Sequence, residues 1–299
     1  ESFALLVYCS AWIKCRYPDV FLAGMLNAWP LGFYQPAQLV RDAREHGVEV
    51  RPVDVNASHW DHALEPDTPG GAARRLHPRH GEMADDVWST HAVRLGLRQV
   101  TGLRETDGQR IAALRADGYD SVRDLWLRTG LAPATLEQLA DADAFRSLGL
   151  DRRAALWAVR GLRRSGDKDD LPLFRAAGTV REPDVDLPRL PPGAQVIADY
   201  RHLKLSLKNH PLAFLRPELE RRGITPANRL AALPSGRKLK LAGLVLVRQR
   251  PGTASGVIFM TMEDEDAWAN VIVWPRVFET YRPVVRGARL ICVTARLQN

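Results

Sequence analysis

A chain of 299 residues is long enough for two or three units with cores of their own, and 45% hydrophobic against 26% charged residues excludes a disordered tail. The formal net charge of +7 is unevenly spread: residues 201–250 hold 12 Lys and Arg against only Glu218 and Glu220, a local +10 that points to a polyanionic partner. Cys9, Cys15 and Cys292 have neither zinc spacing nor an even count, which favours a reducing compartment, and the apolar run 3–13 is too short to span a bilayer and lacks the basic leader of a secretory signal.

The chain opens with a helical pattern from Ser2 to Arg16, which Tyr17-Pro18 stops because proline disfavours the helical conformation in the residue before it. Asp19 is placed to cap a second helix running to Asn27, and Pro36 starts a third whose end is marked by Gly47. Val48-Glu49-Val50 reads as a strand. Residues 51–60 lead into 65–86, whose Pro69-Gly70-Gly71 and scattered charges suggest a surface insertion, and 93–97 returns as a short strand.

Residues 98–164 carry the densest pattern, two helix-turn-helix units in tandem and rich in arginine. Gly102 makes the first turn. Thr106 with Gln109 three residues on reads as a capping box, with Ile111 and Leu114 on the buried face of the helix it opens, Arg115 in the last turn and Gly118 as terminator. The second pair runs through 121–128, 133–140 and 151–164, with Asp151 as N-cap and Leu156 and Val159 at helical spacing. A glycine between two helices lets a phosphate approach the unpaired N–H groups at the second helix's start, a contact that holds DNA without reading its sequence. Arg153, Arg160 and Arg164 are spaced to share one face and offer phosphates a cationic surface; the alternative is a merely solvated face.

From 165 to 195 the composition becomes that of a linker, with five prolines. Two helical segments, 196–203 and 211–222 with Gly223 as terminator, precede strands at 238–249, 257–263 and 268–274, a short helix at 275–281 and a further strand at 290–297. Three strands, a helix and another strand match an OB-fold β-barrel lacking its last strand. Such barrels bind single strands with a basic groove and stacking aromatics. Arg237, Lys238, Lys240, Arg248 and Arg250 supply the charge, and Phe259, Trp268 and Trp274 are the aromatic candidates; the alternative for each ring is a place in the core. The acidic run Glu263-Asp264-Glu265-Asp266 falls between two strands and reads as a solvated hairpin rather than a metal site, and no histidine is spaced for zinc with a cysteine.

Several stretches together resemble a known family. Ser2-Phe3-Ala4-Leu5-Leu6-Val7-Tyr8, Trp12-Ile13-Lys14, Tyr17-Pro18, Gly32-Phe33-Tyr34 and Arg51-Pro52-Val53-Asp54-Val55-Asn56 resemble the end of the fingers region of bacterial C-family DNA polymerases, which include the alpha subunit of DNA polymerase III. Gly243-Leu244-Val245-Leu246-Val247-Arg248-Gln249-Arg250-Pro251-Gly252 and Asn270-Val271-Ile272-Val273-Trp274-Pro275 resemble the error-prone, damage-tolerant branch. The resemblance covers nearly the whole chain outside 65–86. It implies a multidomain α+β protein: the end of the fingers at 1–97 with a surface insertion near 65–86, a tandem helix-hairpin-helix domain at 98–164, a linker at 165–195, a helical connector at 196–235, and an OB-fold without its last strand at 236–299.

The same resemblance implies the C-terminal portion, truncated at both ends, of an error-prone DNA-directed DNA polymerase acting in damage-induced translesion synthesis and DNA repair in the bacterial cytoplasm. Arg104 stands where the first hairpin has its second glycine, and Asp143 where the second turn usually has one. Duplex contact is therefore assigned to Gly102, Leu103 and Arg104, with Arg153, Arg160 and Arg164. In the linker, Leu171, Leu173 and Phe174 form a candidate clamp-binding segment, with Asp170 at the place of the family's glutamine; the alternative is that they dock the linker on its own domain. The family's catalytic carboxylates lie in the palm, expected upstream of Glu1, so no catalytic or metal-binding residue is assigned in this chain. Mg2+, deoxynucleoside triphosphates, primer-template DNA and the single-stranded template belong to the full-length polymerase, with a sliding clamp or companion translesion factors as further partners and no membrane. The rival reading is a non-catalytic DNA-binding or recruitment protein built from helix-hairpin-helix and OB modules.

Overall fold

The computed structural model describes residues 2–31, 34–165, 187–253 and 255–298. They fall into two compact units, Glu1–Leu207 and Lys208–Asn299.

The first unit begins with helix α1 (Ser2–Arg16), which buries none of its residues. Helix α2 (Pro18–Asn27) follows, then α3 (Pro36–Glu45). Asp19 does not cap α2: the N-cap is Tyr17, without a side-chain cap bond. Asp19 is buried instead and accepts hydrogen bonds from Ser89 Oγ at 2.7 Å and from the Thr90 and His91 N–H groups at 3.2 and 3.0 Å, so it ties α2 to a distant strand. Gly47 ends α3 at φ +83°, and a Cβ there would lie 2.0 Å from the Ala72 carbonyl oxygen, so the turn admits only glycine.

A three-stranded sheet has the order β1-β3-β2, with β1 (Val50–Arg51) parallel and β2 (Ala63–Pro66) antiparallel to β3 (His91–Arg94). The strands expected at 48–50 and 93–97 thus sit at 50–51 and 91–94. The stretch expected as an insertion starts inside β2, where Glu65 lies between Arg51 (2.7 Å) and Arg94 (2.8 Å). Burial raises the Glu65 carboxyl, but hydrogen bonds from Arg94 and Arg51 outweigh it and hold the group below its ordinary range. Helix α4 (Gly71–Arg75) then packs Ala72 against the first unit.

Helices α5 (Glu105–Ala113), α6 (Val122–Thr129), α7 (Pro133–Asp141), α8 (Arg152–Ser165) and α9 (Pro192–Leu203) complete this unit. One continuous core runs from Leu22 and Val55 through Leu95, Ile111, Leu136 and Phe145 to Leu205, so 1–97 and 98–164 bury their apolar faces against each other. Of the connector expected at 196–235, the part up to Leu207 belongs here and the remainder to the second unit. Arg152, also buried, donates to Asp199 at 2.6 Å and so fixes α9 to α8. Asp151 caps α8 by accepting from the Arg153 and Ala154 N–H groups, both at 2.9 Å.

Helix α5 corrects the expected capping box. It opens one residue before Thr106, with Arg104 as N-cap, and Gln109 donates to Glu105 at 2.9 Å rather than closing a box with Thr106. Because the helix ends at Ala113, Leu114 is 40% exposed rather than buried, and Arg115 lies past the last turn, donating to the Val55 and Ser58 carbonyls.

In the second unit, four antiparallel strands, β4 (Lys238–Gln249), β5 (Ile258–Glu263), β6 (Trp268–Val273) and β7 (Leu290–Arg296), form a sheet in the order β6-β5-β4-β7. The short helix α10 (Arg216–Arg221) precedes the sheet, and α11 (Pro275–Gly287) lies between β6 and β7. Helix α11 continues past the expected end at Tyr281, which is only a kink (φ −115°, ψ 26°) ahead of Pro283. Its Phe278 and Val285 pack on Ile258, Met260 and Val273 of the sheet.

The acidic run is not a solvated hairpin. Asp264 is 1% exposed and accepts from the N–H groups of Ala227, Asp266 and Ala267 at 2.7 to 3.0 Å and from Arg216 at 3.1 Å. Burial raises the Glu265 carboxyl, yet its bond from Arg216 brings it below the ordinary range. Arg216 thereby ties α10 to the β5–β6 turn.

Candidate nucleic-acid interfaces

The first unit presents an open hairpin. Gly102 sits at φ +85°, a conformation that L side chains rarely adopt, and it turns the chain directly into α5. The Val100 carbonyl accepts from Leu103, whose side chain is buried and anchors the turn. Among the described residues the backbone N–H groups of Gly102, Arg104, Glu105 and Thr106 meet no acceptor. Unclaimed donors at a helix start attract an anion. Arg104 is exposed beside them, its Nε 3.5 Å from the Asp107 carboxylate.

The second turn differs. Asp143 occupies the left-handed conformation (φ +62°) that glycine would take, and Arg146 grips its carboxylate with two bonds of 2.9 Å. The charge that would repel phosphate is thus paired internally. On α8, Arg153 and Arg160 are both exposed, and Arg153 donates to the Pro188 carbonyl at 2.6 Å. Trp157, 53% exposed and one turn from each, joins that face, a residue that helical spacing alone could have flagged. The side chain of Arg164, like Leu171, Leu173 and Phe174, lies outside the described residues.

In the second unit the single-strand candidates divide between the two faces of the sheet. Phe259 (42% exposed) pairs across the strands with Ile272, and Trp268 (59%) with Glu263, on the face away from α11. Trp274, 58% exposed, follows the buried Val273. Lys238 and Lys240 are exposed on that same face of β4, opposite Arg296 and Thr294, and Arg237 immediately precedes them. A bulge between Val245 and Val247 reverses the alternation, so Arg248 faces the other way, opposite Met260, and donates to the Ala288 carbonyl. Arg250 lies over the Phe278 ring at 5.3 Å on the α11 side. Arg282 and Arg286 of α11, which the sequence reading did not select, stand beside it.

A helix-hairpin-helix fold joined to an antiparallel sheet with exposed cations and rings defines a class of chain suited to nucleic acid. The family model described as "Helix-hairpin-helix motif" matches residues 47–155, reaching from β1 into α8. Over its whole length the chain is 57% identical to "Error-prone DNA polymerase 1" of Rhizobium meliloti (strain 1021), 55% to "Error-prone DNA polymerase" of Mesorhizobium japonicum and 46% to "Error-prone DNA polymerase" of Ruegeria pomeroyi. Along its whole length the chain is thus similar to bacterial error-prone DNA polymerases. It spans 27%, 27% and 25% of the length of these three relatives.

Proposed function

We propose that this chain is a DNA-holding part of an error-prone DNA polymerase acting in translesion synthesis and repair in the bacterial cytoplasm. In this reading residues 1–97 are the end of the fingers, the Gly102 hairpin with Arg104, Arg153 and Arg160 holds duplex backbone, and the second unit is an incomplete OB barrel. Its outer face takes single-stranded template through Arg237, Lys238, Lys240, Phe259, Trp268 and Trp274. The observation that carries the reading is the open hairpin at Gly102, found in a chain similar over its whole length to error-prone DNA polymerases. That similarity favours it over a stand-alone recruitment protein.

Template-directed nucleotidyl transfer with Mg2+ and deoxynucleoside triphosphates is then the whole protein's reaction. Among the described residues no group of three or more His, Cys, Asp or Glu is placed to hold a metal ion, and no catalytic step is assigned to them. No helix among them is long and apolar enough to cross a membrane. A sliding clamp is a further partner through the linker segment 171–174.

The test is anisotropy titration of the 299-residue chain on duplex and single-stranded oligonucleotides. Neutralising Arg104, Arg153 and Arg160 with glutamine should lower duplex affinity and, if all three meet phosphates, shrink the log-log salt slope for duplex by about 2.7, at roughly 0.9 per contact. Equal losses on both substrates would refute the division of labour. Primer extension by this chain alone, with Mg2+ and all four deoxynucleotides, would refute its non-catalytic assignment.

A further inference from the structure

On the α11 side of the second unit's sheet, away from the exposed aromatics, lies a cavity of about 370 Å³. Four arginines line it: Arg248 and Arg250 from the end of β4, and Arg282 and Arg286 one turn apart on α11. Its apolar floor includes Phe278 and Val285. The guanidinium groups of Arg250 and Arg282 lie over the Phe278 ring at 5.3 and 5.6 Å. Arg248 spends one nitrogen on the Ala288 carbonyl, while its Nε is buried without a hydrogen-bond partner. None of the four makes an ion pair with a carboxylate among the described residues, and no acidic side chain lines the cavity.

Four cations gathered without an acid repel one another, and a buried donor left unmatched is costly. Planar guanidinium groups match phosphoryl oxygens two at a time, and a multiply charged phosphoryl anion satisfies both the charge and the unclaimed donor. Carboxylate ligands of single charge would leave most of the cluster uncompensated. We propose that this cavity is a phosphoryl-anion site, separate from the outer face of the sheet, which accepts either backbone phosphates of a DNA strand or free pyrophosphate. For its DNA source the proposal rests on the single-strand reading; for pyrophosphate it stands without it.

The experiment uses the 299-residue chain and the variant Arg282→Gln/Arg286→Gln. Pyrophosphate binding is measured by calorimetry, and oligo(dT) binding by anisotropy across a salt series, with pyrophosphate as competitor. The double variant should bind pyrophosphate at least tenfold more weakly, whereas neutralising Lys238 and Lys240 should leave pyrophosphate binding intact. If DNA supplies the phosphates, the single-strand salt slope should also shrink by about 1.4, at roughly 0.7 per contact, and pyrophosphate should compete. If pyrophosphate is the sole ligand, the slope stays unchanged while calorimetry loses its signal. A variant that fails to fold is replaced by Arg282→Lys/Arg286→Lys, which keeps the charge but loses the fork and should bind with intermediate strength. Pyrophosphate binding without any oligonucleotide binding would sink the single-strand reading and leave this one standing. A folded double variant that binds both probes as tightly as the unaltered chain, or an unaltered chain that binds neither, overturns the proposal.

Discussion

Replacing Arg237, Lys238 and Lys240 together with glutamine tests whether the outer face of the second unit's sheet meets a DNA strand. The three are exposed, adjacent at the start of β4, and make no ion pair with a carboxylate among the described residues, so their removal breaks no internal bridge. Each phosphate contact to a single strand contributes roughly 0.7 to the log-log salt slope, and three contacts about 2. Between 50 and 200 mM salt, a slope difference of about 2 narrows the affinity gap between variant and unaltered chain by roughly 16-fold. The assay is anisotropy with oligo(dT) at four salt concentrations, with duplex of equal length alongside. Arg221→Gln/Arg222→Gln serves as the control, because both of those arginines are engaged by Glu218. A slope that stays the same, or falls equally on duplex and on the control, would show that this face does not hold a single strand.

Arg152→Met should destabilise the first unit by about 3–5 kcal/mol in urea unfolding, since it takes the guanidinium from the buried Asp199 carboxylate, which keeps the Ser206 hydroxyl but loses its countercharge; adding Asp199→Asn should restore part of the loss, and failure to restore any would refute the pairing argument. His62 gives a pH signature: burial, and then the nearby Arg98 charge, lower its pKa to about 4 from 6.5, while its Nδ1 accepts from the Gly96 N–H at 3.1 Å. The unfolded chain takes up this proton first, so the contribution is complete above about pH 6.5 and disappears as pH falls toward 4, a loss of up to about 3 kcal/mol. His62→Asn should flatten that pH dependence in urea midpoints measured at pH 7 and 5; an unchanged dependence would mean other groups set it.

The local signals in the sequence served well where the structure is local. Tyr17-Pro18, Pro36, Gly47 and Asp151 punctuate helices as proline, glycine and capping aspartate should, and the three-strand, helix, strand order of 238–296 is present. What misled were residues whose partners lie far away in the chain. Asp19 looks like a cap but serves Ser89, Thr90 and His91, and Asp264 looks solvated but serves Ala227 and Arg216. No period or spacing encodes those contacts. The bulge in β4 was equally hidden: strict alternation puts Lys240 and Arg248 on one face, and a single irregular step between Val245 and Val247 sends them to opposite faces.

That bulge changes what the +10 of residues 201–250 means. Arg216 is consumed by Asp264 and Glu265, and Arg221 and Arg222 by Glu218, so part of the excess is structural. The cations at 237–240 share the outer face with Phe259 and Trp268 but stand at the other end of β4, beyond the patch where Leu212 and Ile224 pack on Ala242, whereas Arg248 and Arg250 gather with Arg282 and Arg286 on the α11 side. One basic stretch therefore feeds two places of different character. The first is open, lined with Phe259 and Trp268, and suited to a stacked strand sliding through. The second is a half-open cluster of guanidinium forks suited to a phosphoryl group. A polymer that engages both would have to pass around an edge of the sheet, so single-strand affinity should rise with oligonucleotide length in two steps rather than one. A single-step length dependence in which both variant sets lose equal affinity at every length would instead mark the two places as parts of one surface.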